Sequence, residues 1–418
     1  MMQYIKRITD KELQTKLNAA GAVLIRGVKA CGKTESAKQI AASTLSVDTD
    51  DQASVIMKID PKRLLFGKTP RLIDEWQVQP KLWTYIRHEI DERQQKAQFI
   101  LTGSANPEEN IKMHSGAGRF TILNMRTMSW QELGFSSGKI SIESLFCGSK
   151  IDIYDEPVEL EYIIEKIMIG GFPTTLNMIT DQAMELNRAY IDLLAEVDMS
   201  RVSNVKRDPI KVRNLLRSIA RNTANIVEIK TIAEDIHEKE KNDISRPTVY
   251  EYLDALNCLM ITEEQPAWNT HIRSSASLRK TPKRHFTDVA LSVAALGADK
   301  NYLLSDLKFT GFLFESLVTH ELRVYAQAND AKVFYYRDSN NIEVDAIVQK
   351  HNGDWMAFEI KLGIGQIEEA AHNLKKFISV IDTKKVNPPK SINIITGTGI
   401  SYTRADGINV ISIASLGI

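Results

Sequence analysis

The chain has 418 residues, 43% of them hydrophobic and 25% charged, with 53 basic and 53 acidic side chains. At roughly 100–200 residues per domain this predicts two to four domains, and the balanced charge confines any case for nucleic acid or membrane to local patches. No apolar run approaches the roughly 18–20 residues that span a bilayer, and the N-terminus lacks the apolar core of a signal peptide. Cys31, Cys147 and Cys258 form no metal-ligand spacing. A secreted disulfide scaffold, a membrane protein and a disordered chain are excluded, and a cytoplasmic location with no membrane partner is expected.

In chain order, residues 1–140 alternate short apolar runs with helical patterns. The runs are AVLIRG (22–27), SVIMKI (54–59), RLIDE (71–75) and QFILTGS (98–104). Short buried strands alternating with helices predict a parallel sheet covered on both faces. Residues 136–150 read as a surface connection. Residues 151–205 read as a helical linker, broken by GGFP (170–173). Residues 206–270 read as three helices and a hairpin, the outline of a winged helix. Pro209 opens the first helix, Ser245 caps the third, and CLMITEEQPAW (258–268) is expected to supply both strands. Residues 280–418 return to mixed α/β. An amphipathic helix FLFESLVTHELRVYAQ (312–327) precedes strands KVFYYRD, NIEVDAIVQ and MAFEIKL, a helix from Ile367, and strands SINIITG and INVISI.

Gly27-Val28-Lys29-Ala30-Cys31-Gly32-Lys33-Thr34 is G-x-x-x-x-G-K-T, placed after an apolar strand and at the start of a helical pattern. The glycines let backbone N–H groups curl around phosphate oxygens, and the helix N-terminus adds its positive dipole end. Lys33 reaches the β- and γ-phosphates, the Thr34 hydroxyl ligates Mg²⁺, and Glu35 follows inside the first helical turn. Leu72-Ile73-Asp74-Glu75 ends an apolar strand in two acids. Asp74 is the candidate for the Mg²⁺ shell and Glu75 for polarising the attacking water. The strand ending Thr102-Gly103-Ser104 places Thr102 or Ser104 as a γ-phosphate contact. Arg119 and Arg126 are candidates for the arginine that stabilises developing charge at a subunit boundary.

These stretches resemble a known family. IRGVKACGKTESA, LIDEWQ, ILTGSANP, HSGAGRFTILNMRTMSWQELG, EVDAIV and FEIKLG follow in the order found in prokaryotic AAA-type ATPases with a C-terminal domain of unknown function. The resemblance covers nearly the whole chain, and HSGAGRF and RTMSWQE are its more specific parts. It implies ATP binding and hydrolysis, a winged helix, and a C-terminal domain like the restriction-endonuclease (PD-(D/E)xK) folds.

The C-terminal carboxylates fit that implication. Glu315 lies in the amphipathic helix, Asp345 in NIEVDAIV, and Glu359 and Lys361 form E-x-K in MAFEIKL. Two carboxylates on adjacent strands can share Mg²⁺, which lowers the pKa of a bound water. Residues 359 and 361 point to one face of their strand, so Lys361 can orient that water. A cross-strand ion pair of Glu359 with Lys361, and an edge charge at Asp345, is the structural alternative. Arg201, Lys206, Arg207, Lys211, Arg213, Arg217 and Arg221 form one basic cluster, and Arg279, Lys280, Lys283 and Arg284 a second. Such clusters grip duplex DNA or form a solvated face.

The expected protein is therefore a multidomain α/β ATPase taking ATP and Mg²⁺, and forming a homo-oligomer if Arg119 acts across a boundary. It combines a P-loop parallel sheet, a helical and winged-helix middle, and a restriction-endonuclease-like α/β domain acting on or binding double-stranded DNA. The catalytic set is Lys33, Glu75, Arg119 and Lys361, and the metal set is Thr34, Asp74, Glu315, Asp345 and Glu359. The alternative is a nucleotide-dependent switch or docking module that binds a protein partner without nuclease activity.

Overall fold

A computed structural model describes residues 4–103, 116–153, 157–202, 205–237, 245–269, 281–382 and 386–418. Its first unit is a five-stranded parallel sheet: β1 Ala22–Arg26, β2 Ser43–Ser46, β3 Arg71–Asp74, β4 Phe99–Thr102 and β5 Phe120–Asn124, in the order β2-β3-β4-β1-β5. Alternate residues feed two cores. Val23 and Ile25 face one with Leu13 and Leu17 of helix Thr9–Ala19; Ala22 and Leu24 face the other with Ile86 and Ile90 of helix Leu82–Arg93. Insertion of β4 between β1 and β3 sets Thr102 opposite both Ile25 and Asp74. The phosphate loop, the acidic pair and Thr102 thus emerge side by side at the strands' carboxyl ends, where parallel sheets bind ligands. One expected strand is corrected. SVIMKI lies within helix Ala53–Ile59, with Ala53 and Met57 buried and Val55 and Ile59 exposed. The sheet edge is instead the polar β2, of which only Leu45 is buried.

Residues 136–150 are not a surface connection. β6 (Ile140–Ser141) pairs with the chain's last strand, helix Ile142–Phe146 packs on the C-terminal sheet, and β7 (Asp152–Ile153) ends that sheet. Ile140, Ile142 and Leu145 are buried. The chain therefore visits its C-terminal body before building its middle.

The middle packs helices Leu160–Ile169, Thr180–Leu193, Pro209–Arg221, Ile229–His237 and Arg246–Cys258. Asp208 caps helix Pro209–Arg221 and Ser245 caps helix Arg246–Cys258, accepting from the Ile210 and Thr248 N–H groups. The last helix stops where Met260 takes a left-handed conformation (φ 56°). Only one strand, β8 (Thr262–Gln265), follows there. Its antiparallel partner is β9 (Lys283–Phe286), outside the stretch expected to hold both strands. Helix Val289–Leu296, expected within 280–418, packs on helices of the middle.

Gly170 and Gly171 let this middle meet the P-loop unit. Gly170 has φ 76°, the Gly171 N–H donates to Asp288 Oδ2 at 2.8 Å, and the Met128 N–H donates to the Gly171 carbonyl at 2.7 Å. A Cβ at Gly171 would overlap the Met128 carbonyl oxygen. Gly171→Ala is therefore expected to destabilise the fold by about 1–3 kcal/mol, read as a lower urea midpoint.

The C-terminal body is a seven-stranded mixed sheet, β10-β11-β12-β13-β15-β14-β7. Its strands are β10 Ala331–Arg337, β11 Glu343–Lys350, β12 Trp355–Lys361, β13 Ile392–Thr396, β14 Ser401–Thr403 and β15 Asn409–Ser412; β16 (Leu416–Gly417) pairs with β6. The long helix Leu307–Ala328 and helix Ile367–Val380 pack against this sheet. Among the described residues, no helix is long and apolar enough to cross a membrane.

Candidate active site

The phosphate loop is tightly built. A Cβ at Gly27 would overlap the Met125 carbonyl oxygen, and Gly32 has φ 101°, which only glycine adopts freely. Ala30 is also left-handed, at φ 64°. Val28 and Cys31 are buried, while Lys29 and Ala30 are exposed. Lys33 opens helix Lys33–Lys38, and its buried ammonium donates to the carbonyls of Gly27 and Val28, both at 2.9 Å. Glu35 is exposed and pairs with Lys38 at 2.8 Å.

Asp74 Oδ1 accepts from the Thr34 hydroxyl at 2.9 Å and from the Thr102 hydroxyl at 2.5 Å. Hydroxyl and carboxylate oxygens are the hard donors that Mg²⁺ takes, and the loop's crowded glycine fits a backbone cradle for phosphate. These residues fit ATP and Mg²⁺. Glu75 is left-handed (φ 50°) and accepts from the Gln77 amide. Burial raises its carboxyl above the ordinary value, and the Asp74 carboxylate adds to the rise. Thr102 joins this group; Ser104 lies outside the described residues.

The two arginine candidates go elsewhere. The Arg119 carbonyl accepts from the Ala22 N–H at the start of β1, the end opposite the phosphate loop, and its guanidinium pairs with Asp91 at 2.6 Å. The structure does not bring it to this chain's own loop. Arg126 pairs with Glu263 at 3.0 Å and donates to Gln327 at 2.7 Å.

Sequence reasoning missed Arg7. Its buried guanidinium donates to the Cys31 carbonyl of the loop (2.8 Å), to the Arg126 carbonyl (2.9 Å) and to Glu132 (2.9 Å). Glu132 lies in RTMSWQE, so that stretch serves to hold the loop's far side. The middle roofs the loop. Pro173 lies 3.5 Å from the position of a Gly32 Cβ, the Tyr190 hydroxyl donates to the Lys29 carbonyl at 3.3 Å, and Asp198 pairs with Lys29 at 3.5 Å. Asp198 closes a π-helical turn, Leu194–Asp198, a widening often found at functional sites.

The segment after β5 ties the loop to the long helix. The Met125 carbonyl accepts from the Cys31 thiol at 3.5 Å, and Thr127 hydrogen-bonds His320 at 3.1 Å. The Trp130 N–H donates to Glu321 at 2.9 Å, and Gln327 donates to the Asn124 carbonyl at 2.8 Å.

Further along that helix lies Glu315, which the buried Lys283 ammonium links to the strand carboxylates. A residue counted only in a basic cluster stands among them. The buried Lys283 ammonium lies 2.8 Å from Glu315, 2.8 Å from Glu343 and 3.9 Å from Asp345. Lys361 lies 2.9 Å from Glu359 and 3.8 Å from Asp345. Asp345 Oδ2 also accepts from the Ile360 N–H at 2.8 Å, and Glu359 Oε1 from Asn373 at 2.6 Å. Among the described residues no group of His, Cys, Asp or Glu stands so as to hold a metal ion. The metal role expected of Glu315, Asp345 and Glu359 does not fit, because ammonium and N–H donors fill the positions a cation would take. Lys361 sits in ion pairs with Glu359 and Asp345.

Burial works against the Lys283 charge, but the carboxylates of Glu315, Asp345 and Glu343 outweigh it and raise its pKa. Burial, aided by Asp345, pushes Glu315 up to about 7 and Glu359 up to about 8. Both folded values exceed the ordinary 4.5, so the folded state binds more protons than the unfolded state between those limits. Stability is expected to fall as pH rises from about 4.5 towards about 8, with Glu359→Gln flattening that fall in urea midpoints measured across the range.

Three residues of the first basic cluster are held within the chain. Arg207 is buried and donates to the Met199 and Val202 carbonyls. Arg213 pairs with Asp192 and Glu196, and Arg221 with Asp235; in the second cluster Arg284 pairs with Glu264. Arg201, Lys206, Arg217 and Arg246 are exposed; Arg279 and Lys280 lie outside the described residues.

Comparison with known proteins agrees with the first unit. Residues 19–134 match the AAA domain family, residues 160–302 a domain of unknown function (DUF8612), and residues 310–416 another (DUF4143). Two uncharacterized proteins, of Mycobacterium bovis and Mycobacterium tuberculosis, are each 22% identical over 362 residues, covering 85% of this chain and 74% of theirs. Among solved structures, a Walker-type ATPase of Pyrococcus abyssi is similar with a TM-score of 0.43 and 13% identity, over 70% of this chain and 96% of that one. DnaA of Aquifex aeolicus bound to AMPPCP is similar with a TM-score of 0.28 and 13% identity, over 60% of this chain and 86% of that one. Residues 19–134 carry an AAA-type P-loop domain.

Proposed function

We propose that this protein is a Mg²⁺-dependent ATPase that works as a nucleotide-driven switch, passing the state of its phosphate loop to the long helix of the C-terminal body. The observation that carries the reading is the convergence of Thr34, Asp74 and Thr102, with Glu75 beside them, at the ends of β1, β3 and β4. On this reading residues 27–34 cradle the phosphates. Lys33 exchanges the Gly27 and Val28 carbonyls for phosphate oxygens, Thr34 and Asp74 hold Mg²⁺, and Glu75 takes the proton of the attacking water. The metal, when bound, neutralises charge on the phosphates. Residues 125–132 touch both the loop and the long helix, so a shift in one is felt by the other.

The finer architecture is part of the proposal. Three helices, a bridge between Ile226 and Lys283, and the β8–β9 hairpin support a winged helix in the middle. Antiparallel β10–β12 joined to parallel β12–β13–β15, with Glu315, Asp345, Glu359 and Lys361 gathered on one side, support a restriction-endonuclease-like body. The proposal includes no metal-dependent cleavage there. It favours a protein partner over DNA, since Arg207, Arg213 and Arg221 of the first basic cluster are held by groups of the chain itself. A homo-oligomer in which Arg119 serves a second copy's loop is part of the reading.

The test is phosphate release from ATP and Mg²⁺, with and without double-stranded DNA, beside Lys33→Ala. Turnover that Lys33→Ala abolishes and DNA leaves unchanged is the expected result. Turnover equal in Lys33→Ala sinks the ATPase reading, and stimulation by DNA replaces the protein partner with a nucleic-acid one.

A further inference from the structure

Lys283 and the carboxylates around it come from different parts of the fold. Lys283 sits on β9 of the hairpin, Glu315 on the long helix, and Glu343 and Asp345 on β11. The hairpin is tied to the same strand by a second set of bonds. The Gln265 amide donates to the Asp345 carbonyl at 2.9 Å and the Phe334 carbonyl at 3.0 Å, and its own oxygen bonds His285 at 3.0 Å. Lys283 is 2% exposed, so its ammonium has left water and its charge is answered only by protein groups. Two of its three protons can be directed at carboxylate oxygens 2.8 Å away, and Asp345 lies 3.9 Å and the Tyr335 ring 5.8 Å from it.

We propose that Lys283 is a resident cation that occupies the divalent-metal position of the C-terminal carboxylate cluster, so that the cluster is a metal-free ionic lock between the hairpin and the sheet. The chemistry excludes both occupants together. Mg²⁺ demands near-octahedral oxygen ligands at about 2.0–2.1 Å, and a protonated amine offers no lone pair. An ion among Glu315, Glu343 and Asp345 would stand where the Lys283 ammonium already lies, 2.8 Å from the first two and 3.9 Å from the third. The lock forms only when the hairpin is docked, because the cation arrives on the hairpin and the anions on the body. This inference does not rest on the ATPase reading, and its test leaves nucleotide out.

Nucleotide-free full-length protein carrying Asp74→Asn, which removes the β3 carboxylate beside the phosphate loop, is titrated with Mn²⁺, and free Mn²⁺ is read by electron paramagnetic resonance. No bound ion is expected at the C-terminal cluster. Adding Lys283→Met, which keeps the stem and removes the charge, is expected to create a site for one Mn²⁺ that Asp345→Asn then abolishes. Lys283→Gln is the second variant should the first not fold. A Mn²⁺ site in the protein with Lys283 intact, lost on Asp345→Asn, overturns the proposal. So does a folded Lys283→Met or Lys283→Gln protein that binds no ion. If neither variant folds, the Lys283-intact comparison with Asp345→Asn decides: an ion lost in the variant overturns the proposal, and no ion in either upholds the metal-free lock.

Discussion

Glu75→Gln is expected to lower ATP turnover by about 100-fold or more while leaving ATP binding in place, the loss typical when a positioned general base is removed. Glu75 follows Asp74 directly, so the metal ligand and the base share one strand end. Its left-handed backbone turns it away from the strand, and the Gln77 amide holds it. Glutamine keeps the acceptor oxygen that Gln77 needs and loses only the capacity to take a proton. Lys33→Ala acts at a different step. Without its ammonium the phosphates lose their point charge, so ATP affinity falls along with turnover. Nucleotide binding measured beside single-turnover hydrolysis separates the two. Equal turnover in Glu75→Gln and the parent would move the base to another residue. The pH profile gives an independent check. Burial raises the Glu75 carboxyl, so the acid limb of the turnover profile is expected above the ordinary carboxylate value of 4.5 and absent in Glu75→Gln.

The second large effect is at Glu263. This β8 carboxylate pairs with Arg126 at 3.0 Å and with Arg323 at 3.2 Å, joining the segment after β5, the hairpin and the long helix at one point. Arg323 is 8% exposed. Glu263→Gln leaves both guanidinium groups without their anion. Removing one partner of a buried ion pair costs about 3–5 kcal/mol, because the remaining charge stays desolvated. A fall of that size in urea-derived stability is the expected result; a change under about 0.5 kcal/mol, the range of ordinary surface substitutions, would show that the clamp contributes little. The pH dependence has the opposite sign to that of Glu315 and Glu359. Burial opposes the Glu263 charge, but Arg126 and Arg323 prevail and hold its carboxyl below the ordinary 4.5. Its contribution to stability is present above that value and is lost as pH falls through the lower folded one. Glu263→Gln is therefore expected to remove part of the acid-side loss. The long helix should also loosen from residues 125–132, so hydrogen exchange at Thr127 and Trp130 is expected to speed up in the variant.

What could be read from the chain alone was what lies close together along it. The phosphate loop works through backbone N–H groups in eight consecutive residues, so its spacing is its structure, and Asp74 and Glu75 follow from an apolar strand that ends in acids. The same holds for β10, β11 and β12, whose apolar runs marked strands and so put residues 359 and 361, two apart, on one face. Local pattern failed where burial was weak or shared. β2 shows one buried side chain in four, whereas SVIMKI is apolar enough for a strand yet suits a helix that buries Ala53 and Met57. β6 and β7 are two-residue strands whose partners lie at the far end of the chain, beyond any local signal.

Only the tertiary structure decided which charges meet. Lys283 looked like one more basic residue until β9 carried it against Glu315 and Glu343, and Arg7 carried no mark of its contact with Cys31. A cation's role depends on the groups within a few ångströms of it, and for a buried side chain those groups are set by neighbouring elements. The same physics sends Arg126 to Glu263, Arg119 to Asp91 at the far end of its sheet, and Arg213 of the first basic cluster to Asp192 and Glu196. Local sequence determined the nucleotide chemistry because backbone geometry supplies it. Packing decided the C-terminal chemistry because burial makes each charge answer to its nearest partner.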